Sequence, residues 1–255
     1  MTNFPCDTKT LVHRGVGGKS CVPNLFLLQS SIVCTIEMFM SKDAPPKLPN
    51  GEAIAPTLQR YLKELTRPLH ARTEKAFDLK RRITTLDGYR DGLVDLYRLH
   101  SASGQALLDL DWRGVQVDLA RSVQRLDWLR ADLSYFRFDV ADLAPAPPLS
   151  LDDEAEGLGC LYVIEGSMLG GEYISRAIQK RLGVTEHTGG RFFNGFSEGT
   201  EAAWATFVDA LDRHPVATVG PRAATGARKT FDLFAVAGAN GSATDPNVAD
   251  ENMHC

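Results

Sequence analysis

The chain has 255 residues, 44% of them hydrophobic and 24% charged, with a formal net charge of −4 at pH 7. That is enough apolar material for one core or at most two small ones, and the acidic balance excludes a chain-wide basic field for nucleic acid. The five cysteines, Cys6, Cys21, Cys34, Cys160 and Cys255, are odd in number and form no CxxC pair, which fits neither a disulfide framework nor a structural zinc site and makes a reducing cytoplasm the expected compartment.

Residues 1–51 are expected to be a disordered leader. "VPNLFLLQSSIVCTIEMFM" is apolar, but Pro23, Asn24, Gln29, Ser30, Ser31 and Glu37 interrupt it, so no membrane-spanning helix is expected. A cleaved signal is not expected either, because the positive flank is thin and no A-x-A-like site follows. "MSKDAPPKLPNGEA" has the character of a polar N-terminus, and translation is expected to begin at Met40 or Met38.

Residues 52–239 carry the helical period, with no run alternating at the strand period, and the expectation is one all-α domain. In 85–100, Leu86, Tyr89, Leu93, Leu96 and Tyr97 recur at helical spacing and His100 closes the run. In 117–137, Leu119, Val123, Leu126, Leu129, Leu133 and Phe136 form one apolar stripe. Ser150 is the expected N-cap of the next helix, with acids in its first turn. Ser197 or Thr200 is expected to cap a helix through Trp204, Phe207 and Leu211 that His214-Pro215 ends. Pro221 is placed near the start of a last helix with Phe231, Leu233 and Phe234, and 240–255 is a polar, Gly/Pro-broken tail.

Two stretches carry chemistry. In "YLKELTRPLHARTEKAF", residues 61–77, His70 and Glu74 are four apart and share a helix face. A metal-ligating histidine usually passes its second ring N–H to a carboxylate, carbonyl or water; a solvated surface pair is the other reading. In "YVIEGSMLGGEYISRAIQKRL", residues 162–182, Gly166, Gly170 and Gly171 interrupt an amphipathic helix at about 1 kcal/mol each relative to alanine. Glycines four apart admit a neighbouring helix backbone; they also allow a kink whose main chain lies against something flat. A helix with one histidine and a kinked Gly-rich helix together can sandwich a planar macrocycle.

"LKELTRPLHARTEKAF" resembles the proximal helix of heme oxygenases, and "GSMLGG" resembles their distal helix. "RFFNGFSEGTEAAWATF" and "TFDLFA" are similar to bacterial members, particularly the biliverdin-producing enzymes associated with bacterial phytochromes. The resemblance covers roughly residues 54–238. It implies the heme oxygenase-like helical fold, with His70 as axial iron ligand and Glu74 as the partner of its other nitrogen. It further implies Gly166, Gly170 and Gly171 against the ring, and Lys63 toward a propionate. Three departures bear on the site. Ser167 stands where animal members carry an aspartate, "AAWATFVDAL" offers no cation for a propionate, and Pro68 precedes His70 closely enough to kink its helix.

The resemblance implies a monooxygenase that opens heme to biliverdin and releases iron and carbon monoxide, with heme as cofactor and substrate alongside dioxygen. An imidazole ligand lacks the electron push of a thiolate, and glycine main chain offers no distal side chain to drive peroxidase chemistry. Gly166, Ser167 and Gly170 form the implied catalytic face. The Ser167 hydroxyl either anchors a water there or bonds back to its own helix. The chain has no dinucleotide fingerprint and no cysteine cluster, so electrons must come from a ferredoxin, a flavoprotein reductase or a small reductant. Arg176, Lys180 and Arg181 form either a docking patch for that donor or a solvated helix end. A photoreceptor is a further implied partner, as bilin acceptor. A heme-holding or heme-sensing protein on the same scaffold is the alternative, and a heme-free hydrolase with a cysteine nucleophile or carboxylates is the third reading. Cys160, Trp128 and Trp204 read as packing residues.

Overall fold

The computed structural model describes residues 56–113, 119–195 and 199–240. The leader over 1–51 with its start at Met40 or Met38, Ser197, and residues 241–255 of the tail lie outside the described residues. Among the described residues every regular element is helical.

Helix α1, Leu58–Phe77, starts at Thr57, whose hydroxyl accepts from the Arg60 amide at 3.3 Å. Pro68 lies inside it on the exposed side, and the helix runs on to Phe77. Lys63, His70 and Glu74 therefore stay on one face. Asp78 takes a left-handed conformation (φ 42°), ends α1 and caps α2, Leu79–Arg82, by accepting from the Arg81 amide at 3.3 Å. Buried Arg82 locks this corner, donating to Phe77 O at 2.8 Å and to Asp95 Oδ2 at 2.7 Å with its guanidinium 4.6 Å over the Phe77 ring.

Helix α3, Leu86–Leu108, continues past the expected end at His100, through Ser101–Gly104 to Leu108. His100 is thus interior and 5% exposed rather than at a helix end, and burial pushes its imidazole down to about 3, so it stays neutral. Helix α4, Ala120–Tyr135, buries Leu129 and Leu133 of the expected stripe, with Leu119 and Phe136 packed against the same core. Val123 is exposed, whereas Arg125, Trp128, Leu129, Asp132 and Leu133 point inward. An internal ion pair is buried beside the stripe: Arg125 Nη2 meets Glu165 Oε2 at 2.5 Å, and both side chains are buried.

A short 3-10 turn, Val140–Asp142, leads to α5, Glu154–Gly166. Its cap is Asp153 rather than Ser150: the Asp153 carboxylate accepts from the Glu156 amide at 3.0 Å, and the Ser150 carbonyl accepts from Lys229 Nζ at 3.1 Å. Helix α6, Gly171–Leu182, follows; then come α7, Arg191–Asn194, α8, Thr200–Leu211, and α9, Val216–Asn240. Gly199 occupies the N-cap position of α8, making Thr200 its first residue, and Pro221 sits inside α9 near its start at Val216.

The long α9 packs along both α1 and α5, and α3 packs on α4. Close approach of α5 and α9 rests on two glycines. A Cβ at Gly159 would stand 1.8 Å from Ala223 O, and one at Gly226 would stand 1.9 Å from Glu156 O. Leu58, Leu62, Leu158, Leu211 and Phe231 fill the core around this crossing, while Leu93, Leu99, Leu129, Leu133 and Ile164 fill the core between α3, α4 and α5.

Candidate functional site

The expected kink between residues 162 and 182 is a complete break. Helix α5 ends at Gly166, Ser167 to Gly170 form successive turns, and α6 begins at Gly171. Within the break the amides of Met168, Leu169 and Gly171 bond three residues back, to Glu165 O at 3.3 Å, Gly166 O at 3.2 Å and Met168 O at 2.9 Å.

A cleft of about 580 Å3 receives this turn and the inner face of α1, a size within the ~300–1,000 Å3 of small-molecule sites. His70, Glu74, Lys63, Gly166, Ser167, Gly170 and Gly171 all line it. Residues from both ends of the sequence reading therefore share one space, although α1 and the turn lie about ninety residues apart in the chain.

On α1, His70 Nδ1 stands 3.7 Å from Glu74 Oε1, beyond direct hydrogen bonding and within reach of one bridging water. Phe231 of α9 meets the imidazole edge-on, with centroids 6.0 Å apart. Nε2 is then the nitrogen left to face a ligand. At the turn, the Ser167 hydroxyl donates to Ile164 O at 2.7 Å, so the bond back to the helix is made and the oxygen's lone pairs remain to accept.

The glycines divide into two kinds. A Cβ at Gly166 would lie 3.6 Å from the Trp204 ring, an ordinary contact, so packing does not require glycine there and its absent side chain leaves room in the cleft. A Cβ at Gly171 would stand 2.7 Å from Phe193 O, so Gly171 lets α7 dock although it borders the same space.

Several lining residues carried no site signal in the sequence. Phe192 and Phe193 of α7, Trp204 of α8, and Phe231 and Phe234 of α9 build an apolar wall. Their periodicity reads as core because a cleft wall and a core face obey the same pattern. Lys75 and Lys80 join Lys63 as cationic lining; the run "EKAFDLKRR" just after His70 was the available clue. Desolvation pulls Lys63 below the usual lysine range, only partly offset by Glu64. Arg176, Lys180 and Arg181 are exposed and do not line the cleft, and Arg176 pairs with Glu172 at 2.6 Å.

The residues present fit a heme. A slot between an imidazole-bearing helix and a glycine-rich turn suits a flat ring, aromatic walls suit its faces, and three ammonium groups suit two carboxylates. Among the described residues no group of three or more His, Cys, Asp and Glu side chains is gathered to hold a bare metal ion. A lone imidazole is what an iron already held by a macrocycle requires.

An all-helical bundle with a single-histidine cleft of this shape defines the class. The chain belongs to the heme oxygenase family, whose model matches residues 56–237. A curated heme oxygenase of Xanthomonas campestris pv. campestris (strain 8004) is 37% identical over 112 residues, 44% of this chain. The aligned part spans 65% of that relative's length. The solved heme oxygenase of Neisseria meningitidis, in NO- and CO-bound forms, matches in fold with a TM-score of 0.64 at 22% identity, covering 73% of this chain and 92% of that one. No helix among the described residues is long and apolar enough to cross a membrane.

Proposed function

We propose that the cleft binds heme through His70 Nε2 and that the chain is a monooxygenase opening the ring to biliverdin, with release of iron and carbon monoxide. The observation that carries this reading is the convergence of His70 and the Gly166–Gly171 turn on one cleft. Heme, when bound, supplies both the iron that activates dioxygen and the ring that is oxidised.

The chain's own residues then have separate tasks. His70 ligates through Nε2, and Glu74 orients the ring through Nδ1, by way of water at the observed separation. Gly166 and Gly170 leave space beside the turn, and the Ser167 oxygen accepts from a water that can deliver protons there. Phe192, Phe193, Phe231 and Phe234 exclude bulk water from the rest of the cleft. Lys63, Lys75 and Lys80 line the cleft and would hold the propionates, and such contacts would orient the ring. Electrons come from an external ferredoxin, flavoprotein reductase or small reductant, and a bilin-binding photoreceptor of the phytochrome type is the acceptor of the product.

A second reading, a heme holder or sensor, is favoured by the Ser167 hydroxyl being engaged with Ile164 O where a free acid would organise water. The hydrolase reading loses support. Cys160 is fully buried, burial pushes its thiol up to about 12, and it does not line the cleft.

Hemin titration followed by reductant and air tests the proposal. The expected result is a Soret band that is lost on reduction as bilin absorbance appears, with His70→Ala lacking the axial bond. A Soret band that persists with a competent ferredoxin system favours the holder, and failure to take up hemin rejects both readings.

A further inference from the structure

Asp132 is a buried acid that the proposed chemistry does not use. It lies in α4, 2% exposed, and its two oxygens are spent on two consecutive main-chain amides. Oδ1 accepts from Arg191 N at 2.9 Å and Oδ2 from Phe192 N at 2.8 Å, across 59 and 60 residues of chain. Among the described residues no side-chain cation hydrogen-bonds to it; the Arg191 guanidinium lies over Trp128, 4.5 Å from the ring centroid, and donates to Gly195 O at 2.7 Å. Tyr89 of α3 holds the same segment two residues earlier, donating to Gly189 O at 2.7 Å.

The segment held in this way is the cleft wall. Phe192 and Phe193 line the cleft, and Phe193 O packs against Gly171 at the start of α6. A Cβ on Gly195 would stand 3.0 Å from Met168 Cε, inside the glycine turn. With only four residues, α7 has little helical stability of its own. Its position is therefore imposed from outside, by groups on α3 and α4 that never touch the cleft.

We propose that Asp132, seconded by Tyr89, is the positioning residue for the apolar wall of the cleft: it pins the Arg191 and Phe192 amides and thereby fixes the Phe192 and Phe193 rings and the glycine turn behind which α7 sits. The inference rests on the heme reading for its ligand, and on the fold alone for the pin. Two charge-assisted bonds to adjacent amides define both the height and the rotation of the segment, which one bond does not.

The test uses the full chain. Asp132→Asn keeps one acceptor and sets an amide donor against the other N–H. Hydrogen exchange of the peptide over 189–195 is measured without ligand, and hemin release is measured by transfer to apomyoglobin. Leu107→Ala, a core truncation away from the cleft, controls for lost global stability. The expected result for Asp132→Asn is exchange over 189–195 roughly tenfold faster than wild type, with hemin release accelerated beyond the control and a shifted or broadened Soret band. Tyr89→Phe should move both rates in the same direction by less, and it decides the matter should the first variant fail to fold. Exchange at the wild-type rate, or faster exchange with hemin release no faster than in Leu107→Ala, overturns the proposal. A wild-type chain that takes up no hemin, together with faster exchange in the variants, refutes the heme reading and still supports the pin.

Discussion

His70 Nδ1 and Glu74 Oε1 lie 3.7 Å apart on adjacent turns of α1, both side chains at least one-third open to solvent (40% and 33%). Such a pair is a guide for the imidazole and contributes little energy of its own. Glu74→Ala should weaken hemin binding less than about tenfold, the lower end for outer partners of metal ligands. His70→Ala should remove the axial band pattern altogether. Titration at the Soret maximum checks both, and equal losses in the two variants would show that the carboxylate does more than orient.

Gly159 and Gly166 lie two turns apart on α5 and make opposite predictions. Gly159→Ala forces a methyl into Ala223 O and should destabilise the chain by about 3 kcal/mol or more, by overpacking. Gly166→Ala meets only ordinary contacts with Trp204 and should melt within about 1 kcal/mol of wild type, while slowing any chemistry that uses the space beside the turn. Thermal unfolding of both variants, with turnover of the second, checks the division. A Gly166→Ala protein that melts far below wild type would return that glycine to a packing role.

The Arg125–Glu165 pair is dry, so breaking it on one side is costly. Arg125→Ala or Glu165→Ala should each lose ~3–5 kcal/mol, because a charge is stranded in the core. Joint replacement by Arg125→Met and Glu165→Leu should recover most of the loss. Chemical denaturation of the three variants checks this, and a double variant no better than the singles would refute it.

Two buried groups pull the pH profile of stability in opposite directions. Burial, then Arg125, depress His100, so its contribution is present above 6.5 and is lost as pH falls toward about 3. Burial raises Asp132 to about 6 against the opposing amides of Phe192 and Arg191; its contribution is present below the ordinary carboxylate range and is lost as pH rises through about 6. His100→Leu should therefore gain on wild type by ~2 kcal/mol between pH 6.5 and 5. Asp132→Asn should lose the wild-type gain on acidification below about 6. Denaturant midpoints across pH 4.5–8 read both, and parallel curves for all three proteins would overturn the assignments.

The helical class and the pair of cleft helices were legible because period and spacing are local properties. His70 and Glu74 face one way at any helix length, and three glycines in six residues mark a break wherever it falls. What failed did so where a distant partner decides. Arg125 points inward because Glu165 waits for it, which the apolar stripe of α4 does not reveal, and Val123 of that stripe is exposed. The cap of α5 is a local matter instead: Asp153 rather than Ser150 takes it, because the helix begins at Glu154 and the Asp153 carboxylate reaches the Glu156 amide. Phe192, Phe231 and Phe234 look like core in the sequence because only the assembled fold leaves space in front of them.

The left-handed residue Asp78 separates two functions that a longer helix would fuse. Because α1 stops there and α2 restarts under the grip of Arg82 on Asp95, Lys80 belongs to a miniature module with its own foundation. The cleft histidine and this part of the charged edge thus rest on separate supports: residues 79–81 can be exchanged, and the cations at the cleft edge altered, without moving the helix that carries His70.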